Sequence, residues 1–191
     1  MTEKRVTTTL EQFLYFYPKN VTLVGVRHGE RANFMAAAWN TALSFNPPLF
    51  AVAITKKRFT HNLIAQAGNF TCNFLPNEKA DIVHSCGRVS GAEVDKVERF
   101  GLKLEPSRLI SSPGLQDAYA ILECTLESLA TFGDHDLIVG RVVAVHYLEE
   151  FFDENGALRP ERVKPTLYLG SDTYVTTDAA TVVRRPRKPT L

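Results

Sequence analysis

Five short runs of β-branched and aromatic residues, each bounded by turn formers, constrain this chain most: residues 21–27 (VTLVGVR), 49–55 (LFAVAIT), 70–75 (FTCNFL), 119–127 (YAILECTLE) and 137–147 (LIVGRVVAVHY). Side chains of this kind pack well on a pleated surface, and the runs read as strands. Helix-like stretches fall between them at 60–67, 78–85 and 92–100, each too brief to be the regular crossover of a repeating βαβ array. A hydroxyl-led stretch at 7–16, stopped by Pro18, reads as a further short helix. No Gly-x-Gly-x-x-Gly turn follows any strand, which disfavours a doubly wound parallel sheet. The expected architecture is mainly β with short helices, roughly six strands closing into a barrel.

At 191 residues the chain can bury one core of ordinary size without metal or disulfide staples. Lys plus Arg is 22 and Asp plus Glu 21, for a formal charge of +1, which argues against a surface built to neutralise nucleic-acid phosphates. The one local excess is at the end, Arg184-Arg185-Pro186-Arg187-Lys188-Pro189, so residues 1–178 read as the domain and 179–191 as a flexible basic tail. Residues 153–165 are polar, contain the turn signal Asn155-Gly156, and read as an excursion rather than a linker. Cys72, Cys86 and Cys124 are an odd number without a Cys-x-x-Cys pair, and no run is long enough to span a bilayer. A soluble cytoplasmic protein is the expectation. The five histidines show no paired-ligand spacing, so no metal site is expected.

Three stretches carry chemical potential beyond packing. Residues 55–64 place Thr55, Lys56, Lys57, Arg58, Thr60 and His61 between the end of a strand and the start of a helix. Helix-start N–H groups, the helix dipole and the planar Arg58 fork suit a phosphate there, and the competing reading is a helix capped by Thr60 behind a solvated turn. Residues 36–40 set three alanines before Trp39, the only tryptophan, and Asn40. They offer a flat ligand close approach to the backbone, or are simply strand core. Gly133-Asp134-His135-Asp136 reads as a tight turn, with His135 either at a ligand or merely exposed.

Taken together, these stretches resemble the flavin reductase-like, FMN-binding split-barrel family, and its flavoredoxin-type members in particular. The likeness runs through Tyr17-Pro18, NFMAAAWNTALSFNPPLFAVAI, KRFTHNLI, the 70–75 strand, the 86–96 stretch, GDHDLIVGRV and Leu167-Tyr-Leu-Gly-Ser-Asp-Thr-Tyr174. It implies a Greek-key split barrel that pairs as a homodimer, with FMN near the subunit interface. Matched block by block, Ala37, Ala38, Trp39 and Asn40 would border the isoalloxazine ring. Thr55, Lys57, Arg58 and Thr60 would form the phosphate turn, with His61 beside it. Ser90, Gly91 and Lys96 would lie in a loop near the cofactor, Lys96 as a cation toward the N1–C2 carbonyl region. His135 would be the catalytic-site residue near the nicotinamide.

The activity so implied is electron transfer from NAD(P)H through FMN to flavin, ferric iron, oxygen or a protein acceptor. Two alternatives stand beside it: an FMN electron carrier without its own NAD(P)H site, and a non-catalytic flavin-binding module. Neither nucleic acid nor membrane is expected as a partner.

Overall fold

The computed structural model describes residues 3–9 and 13–185. In chain order the strands are β1 (Lys19–Asn20), β2 (Thr22–His28), β3 (Arg31–Ala37), β4 (Asn40–Phe45), β5 (Pro48–Ile54), β6 (Asn69–Phe74), β7 (Leu104–Glu105), β8 (Gly114–Leu115), β9 (Ala120–Phe132), β10 (His135–Tyr147), β11 (Leu167–Gly170) and β12 (Thr173–Val175). The α-helices are α1 (Phe59–Ala67), α2 (Ala80–Arg88) and α3 (Lys96–Arg99). All five runs expected as strands are strands, and β9 continues past residue 127 to Phe132, where a turn through Gly133 at φ 61° starts β10. That left-handed conformation costs glycine little, which is why a two-residue connection suffices for so long a hairpin.

Seven strands form one antiparallel sheet in the order β3-β2-β6-β9-β10-β5-β4. Its two edge strands, β3 and β4, are consecutive in the chain and joined only by Ala38 and Trp39. So short a link reaches at most about 11 Å, which forces the opposite edges of the sheet together and curls it into a barrel. Among the described residues no ladder joins β3 to β4, so the barrel is split along that seam. The link is stitched instead to its neighbours: the Ala53 N–H donates to the Trp39 carbonyl at 2.8 Å and Asn40 Nδ2 to the Ala37 carbonyl at 2.8 Å. The run β6-β9-β10-β5 places the strand that precedes β6 beside the last of the series, the Greek-key permutation. Seven strands form rather than six because the apolar stretch 33–48 bends at Ala38–Trp39 into two.

β2 is buried on both faces. Val24 and Val26 join Val52, Ile54, Phe70 and Ile138 inside the barrel, while Val21 and Leu23 pack outside with Phe34, Val83 and Cys86. The outer cluster exists because α2 and α3 cover the exposed edge of β3, a device that also keeps that edge from pairing with another chain. The helix expected at 78–85 begins as a 3-10 turn at Asn77–Lys79 and continues as α2. Of the helix expected at 92–100 only Lys96–Arg99 forms, because the Asp95 side chain accepts from the N–H groups of Val97 and Glu98 and starts the helix there. The helix expected at 7–16 is not formed among the described residues, and residues 10–12 lie outside them. Phe13 is instead in tertiary contact, 6.4 Å from Trp39, and Tyr17, just beyond the stretch, stands edge-on to Tyr168 at 5.5 Å.

β1, β11 and β12 make a small side sheet, turned at Ser171 and Asp172, whose φ values of 47° and 59° are both left-handed. On the far side Glu123 of β9 is fully buried and accepts from the N–H groups of Arg108 at 2.7 Å and Leu109 at 2.8 Å, with His146 as third partner. Burial acts to raise its pKa, but those donors outweigh it and hold the carboxyl below its ordinary value. Residues beyond the small 3-10 turn at Ala179–Thr181 are exposed as far as Arg185, and the rest of the basic tail, 186–191, lies outside the described residues. No helix among the described residues is long and apolar enough to cross a membrane.

Candidate functional site

The seam of the barrel opens into a hollow of about 210 Å3 whose wall runs from Ala36 to Trp39, with Thr55 and Arg58 at one side and His135 at another. A second hollow of about 220 Å3 shares Ala36, Ala38, Arg58, Gly87 and Tyr168 with the first and adds Arg88 and Tyr174. Three stretches far apart in sequence are thereby brought to one place by the two-residue link, the β5–α1 turn and the β9–β10 turn.

The β5–α1 turn is built for an anion. The Arg58 N–H donates to the Thr55 carbonyl at 3.0 Å, closing the turn, and Arg58 then occupies the position before the helix in an extended conformation (φ −79°, ψ 133°). No side chain caps α1 and no acid lies in its first turn, so the helix start keeps its partial positive charge. Lys56 is engaged, 3.5 Å from Asp136 Oδ1 and 3.0 Å from Thr131 Oγ1. Lys57 and Arg58 have no ion-pair partner among the described residues, and Arg58 lines both hollows.

Thr60 and His61 hold this turn from behind. Thr60 Oγ1 accepts from Asn33 Nδ2 on β3 at 2.8 Å, so it neither caps α1 nor lines the hollow. His61 Nε2 sits 2.7 Å from Asp136 Oδ2 at the start of β10, with both residues buried. Burial would raise the Asp136 pKa, yet the Thr131 hydroxyl, His61 and Lys56 together hold it below the ordinary value. The turn that carries Arg58 is thus tied to the strand that begins at His135.

The ledge is flat because its residues are small. A Cβ placed on Gly87 of α2 would stand 3.2 Å from the Ala36 Cβ, so helix and strand approach as closely as side chains permit. Trp39 closes the ledge and lies against His135, ring centroids 4.7 Å apart and tilted by 36°. His135 Nδ1 is 2.8 Å from Asp134 Oδ1, which leaves Nε2 as its other polar atom.

Of the residues expected at a cofactor, Ala37, Ala38, Trp39, Thr55, Arg58 and His135 line the hollow. Asn40, Lys57, Thr60, His61, Ser90, Gly91 and Lys96 do not. Ser90 is exposed, and Gly91 is packed so tightly that a Cβ there would lie 2.9 Å from the Phe59 ring and closer still to Asn33. Lys96 is buried, its Nζ donating to the carbonyls of Phe34 at 2.8 Å and Cys86 at 2.6 Å. Tyr17, Gly87 and Tyr168 line the hollow without having been singled out by their chemistry; Tyr17 and Tyr168 fall in stretches that carry the family resemblance.

A cleft of about 1020 Å3 lies away from this seam, between β9–β10 and the 149–159 segment. Glu149, Glu150, Asp153 and Glu154 line it with Arg159, a net negative charge that repels a phosphate. Among the described residues no group of three or more His, Cys, Asp or Glu side chains could hold a metal ion.

A flat ledge of small residues fits a planar ring, and an uncompensated arginine beside an uncapped helix start fits a phosphate on that ring's tail. Fold and hollow together define a small split-barrel protein with a site shaped for a planar, phosphorylated ligand. The chain belongs to the flavin reductase-like family, whose domain model, "Flavin reductase like domain", matches residues 14–176. An FMN-binding protein from Thermus thermophilus, solved with bound 1-cyclohex-2-enone, is 42% identical at a TM-score of 0.85, covering 96% of this chain and 100% of that one. Flavoredoxin from Methanosarcina acetivorans is 27% identical at a TM-score of 0.81, covering 92% of each chain. The reductase component of 4-hydroxyphenylacetate 3-monooxygenase from Thermus thermophilus is 32% identical over 135 residues, 70% of this chain and 80% of that one.

Proposed function

We propose that the protein is an FMN-dependent oxidoreductase that accepts a hydride from NAD(P)H and passes electrons on to free flavin, ferric iron, oxygen or a protein partner. The observation that carries this reading is the convergence of Arg58, the 36–39 ledge and the Trp39–His135 pair on one hollow. When bound, FMN supplies the redox chemistry. Arg58 and the α1 N–H groups hold its phosphate, with Thr55 beside them and Lys57 adding charge nearby. Ala37 and Ala38 border the ring, and the backbone of this ledge keeps water from one of its faces. His135, oriented by Asp134 and backed by Trp39, stands where a nicotinamide would stack and offers Nε2 to its carboxamide; no proton transfer is needed from it, since hydride transfer depends on close stacking.

Anaerobic mixing with NADH and with NADPH tests the reading. Rapid bleaching of bound flavin by one of them is expected, with the rate lowered about ten-fold or more in His135→Ala at unchanged FMN affinity. Bleaching by dithionite or a reduced protein donor alone would instead make the protein an electron carrier.

Pairing as a homodimer belongs to the same proposal. Phe45 on the edge strand β4 is fully exposed and Phe132 at the tip of β9 is 65% exposed, large apolar groups that a partner subunit would cover. A mass in solution of twice 21.3 kDa is expected, and a monomer at micromolar concentration speaks against it. Cys72, Cys86 and Cys124 are free and buried, which supports a reducing compartment, the cytoplasm.

A further inference from the structure

Lys96 is the most buried cation of the described residues, 2% exposed, and sits outside the hollow. An ammonium taken out of water is costly unless its protons are matched by acceptors. Here Nζ donates to two carbonyls from two elements, that of Phe34 on β3 at 2.8 Å and that of Cys86 on α2 at 2.6 Å. The Cys86 carbonyl lies in the last turn of α2, where carbonyls lack helical partners and the helix dipole favours a cation. The Phe34 carbonyl belongs to the edge strand, where among the described residues no further strand pairs.

What these two anchor points adjoin gives the arrangement its meaning. Gly87 follows Cys86 directly, and Ala36 lies two residues beyond Phe34, on the same side of the strand. Gly87 and Ala36 are the pair in close approach, and both line both hollows. From this juxtaposition we infer that Lys96 is a positioning residue for FMN: it does not touch the cofactor but clamps α2 to β3 and so fixes the wall on which the ring rests. The inference rests on the reading of the hollow as the FMN site.

Burial lowers the Lys96 pKa to about 8, with the Cys86 thiol acting to raise it and Arg58 to lower it further. Cys86 on α2 and Arg58 ahead of α1 are the titratable groups that act on it, while β3 presents the Phe34 carbonyl. The clamp therefore weakens as pH rises through about 8, when the ammonium loses its charge. Above pH 7 an FMN phosphate, with a second pKa of about 6, is already mostly dianionic, so its own titration contributes little across the range.

The test is FMN affinity by fluorescence titration from pH 7 to 9.5 in the wild type, Lys96→Met and Arg58→Ala. Expected are a wild-type Kd that rises several-fold across this range and a Lys96→Met Kd about ten-fold weaker at pH 7 with no such rise. A Lys96→Met variant that binds as the wild type does, or one that keeps the wild-type pH profile, overturns the inference. Should Lys96→Met not fold, a flat wild-type profile overturns it and a rising one supports it. Unchanged affinity in Lys96→Met alone removes only the clamp, whereas unchanged affinity in Arg58→Ala as well removes the hollow and the clamp together.

Discussion

Arg58→Ala is expected to weaken FMN binding about thirty- to a hundred-fold, the equivalent of roughly 2–3 kcal/mol for a charge-assisted contact to phosphate. The effect should be large because Arg58 lines the hollow without an ion-pair partner among the described residues, which leaves its charge available to a ligand. The loss should not be total, since the uncapped N–H groups of α1 remain. Arg58→Lys should recover only part of it, because an ammonium keeps the charge and loses the two-pronged geometry. Riboflavin, which lacks the phosphate, should bind the wild type and Arg58→Ala alike. Equal affinities of the wild type and Arg58→Ala for FMN would place the phosphate elsewhere.

The second large effect is on the fold. Gly25→Ala should cost about 2–3 kcal/mol, which for a chain of this size lowers the melting temperature by roughly 5–10 °C. Gly25 pairs with Phe34 on one neighbouring strand and Thr71 on the other, and side chains from both lean over it. A Cβ there would stand 2.4 Å from Thr71 Oγ1, 2.6 Å from Phe34 Cε1 and 2.8 Å from the Pro113 carbonyl. The Thr71 hydroxyl cannot step aside freely, because it donates to that same carbonyl at 2.8 Å. Gly29→Ala provides the contrast: it occupies a left-handed turn (φ 59°) with nothing within 4 Å, and should cost about 1 kcal/mol for backbone strain alone. Thermal melts of the two variants that coincide would contradict this account of the outer core.

Five of the seven strands of the main sheet were legible because burial imposes a residue-type pattern on the strands of a packed barrel, whereas β3 and β4 were not read as strands. Closure was also less legible. It depends on Ala38 and Trp39 serving as the whole connection between opposite edges, and nothing in a run of small residues marks a bend. The chemical groups divide by where their partners lie. Arg58 lines the hollow with no ion-pair partner among the described residues, and His135 lines it with only Nδ1 engaged, by the adjacent Asp134. Thr60, His61 and Lys96 carry the same polar signature but are satisfied by Asn33, Asp136 and Phe34, which are 27, 75 and 62 residues away. A sequence shows the polar group and conceals such a distant partner. Gly91 is a related case: what looks like loop freedom is a lack of room beside Asn33 and Phe59.

The two-residue link has one more consequence. Ala38 and Trp39 are at once the hinge of the barrel and part of the wall of the hollow, so a molecule lying on them touches both margins of an unzipped seam. Occupancy and architectural closure are then coupled, in the way a keystone is both load and support: a ligand that binds this wall and not the unfolded chain is expected to raise the melting temperature of the whole barrel as its concentration rises.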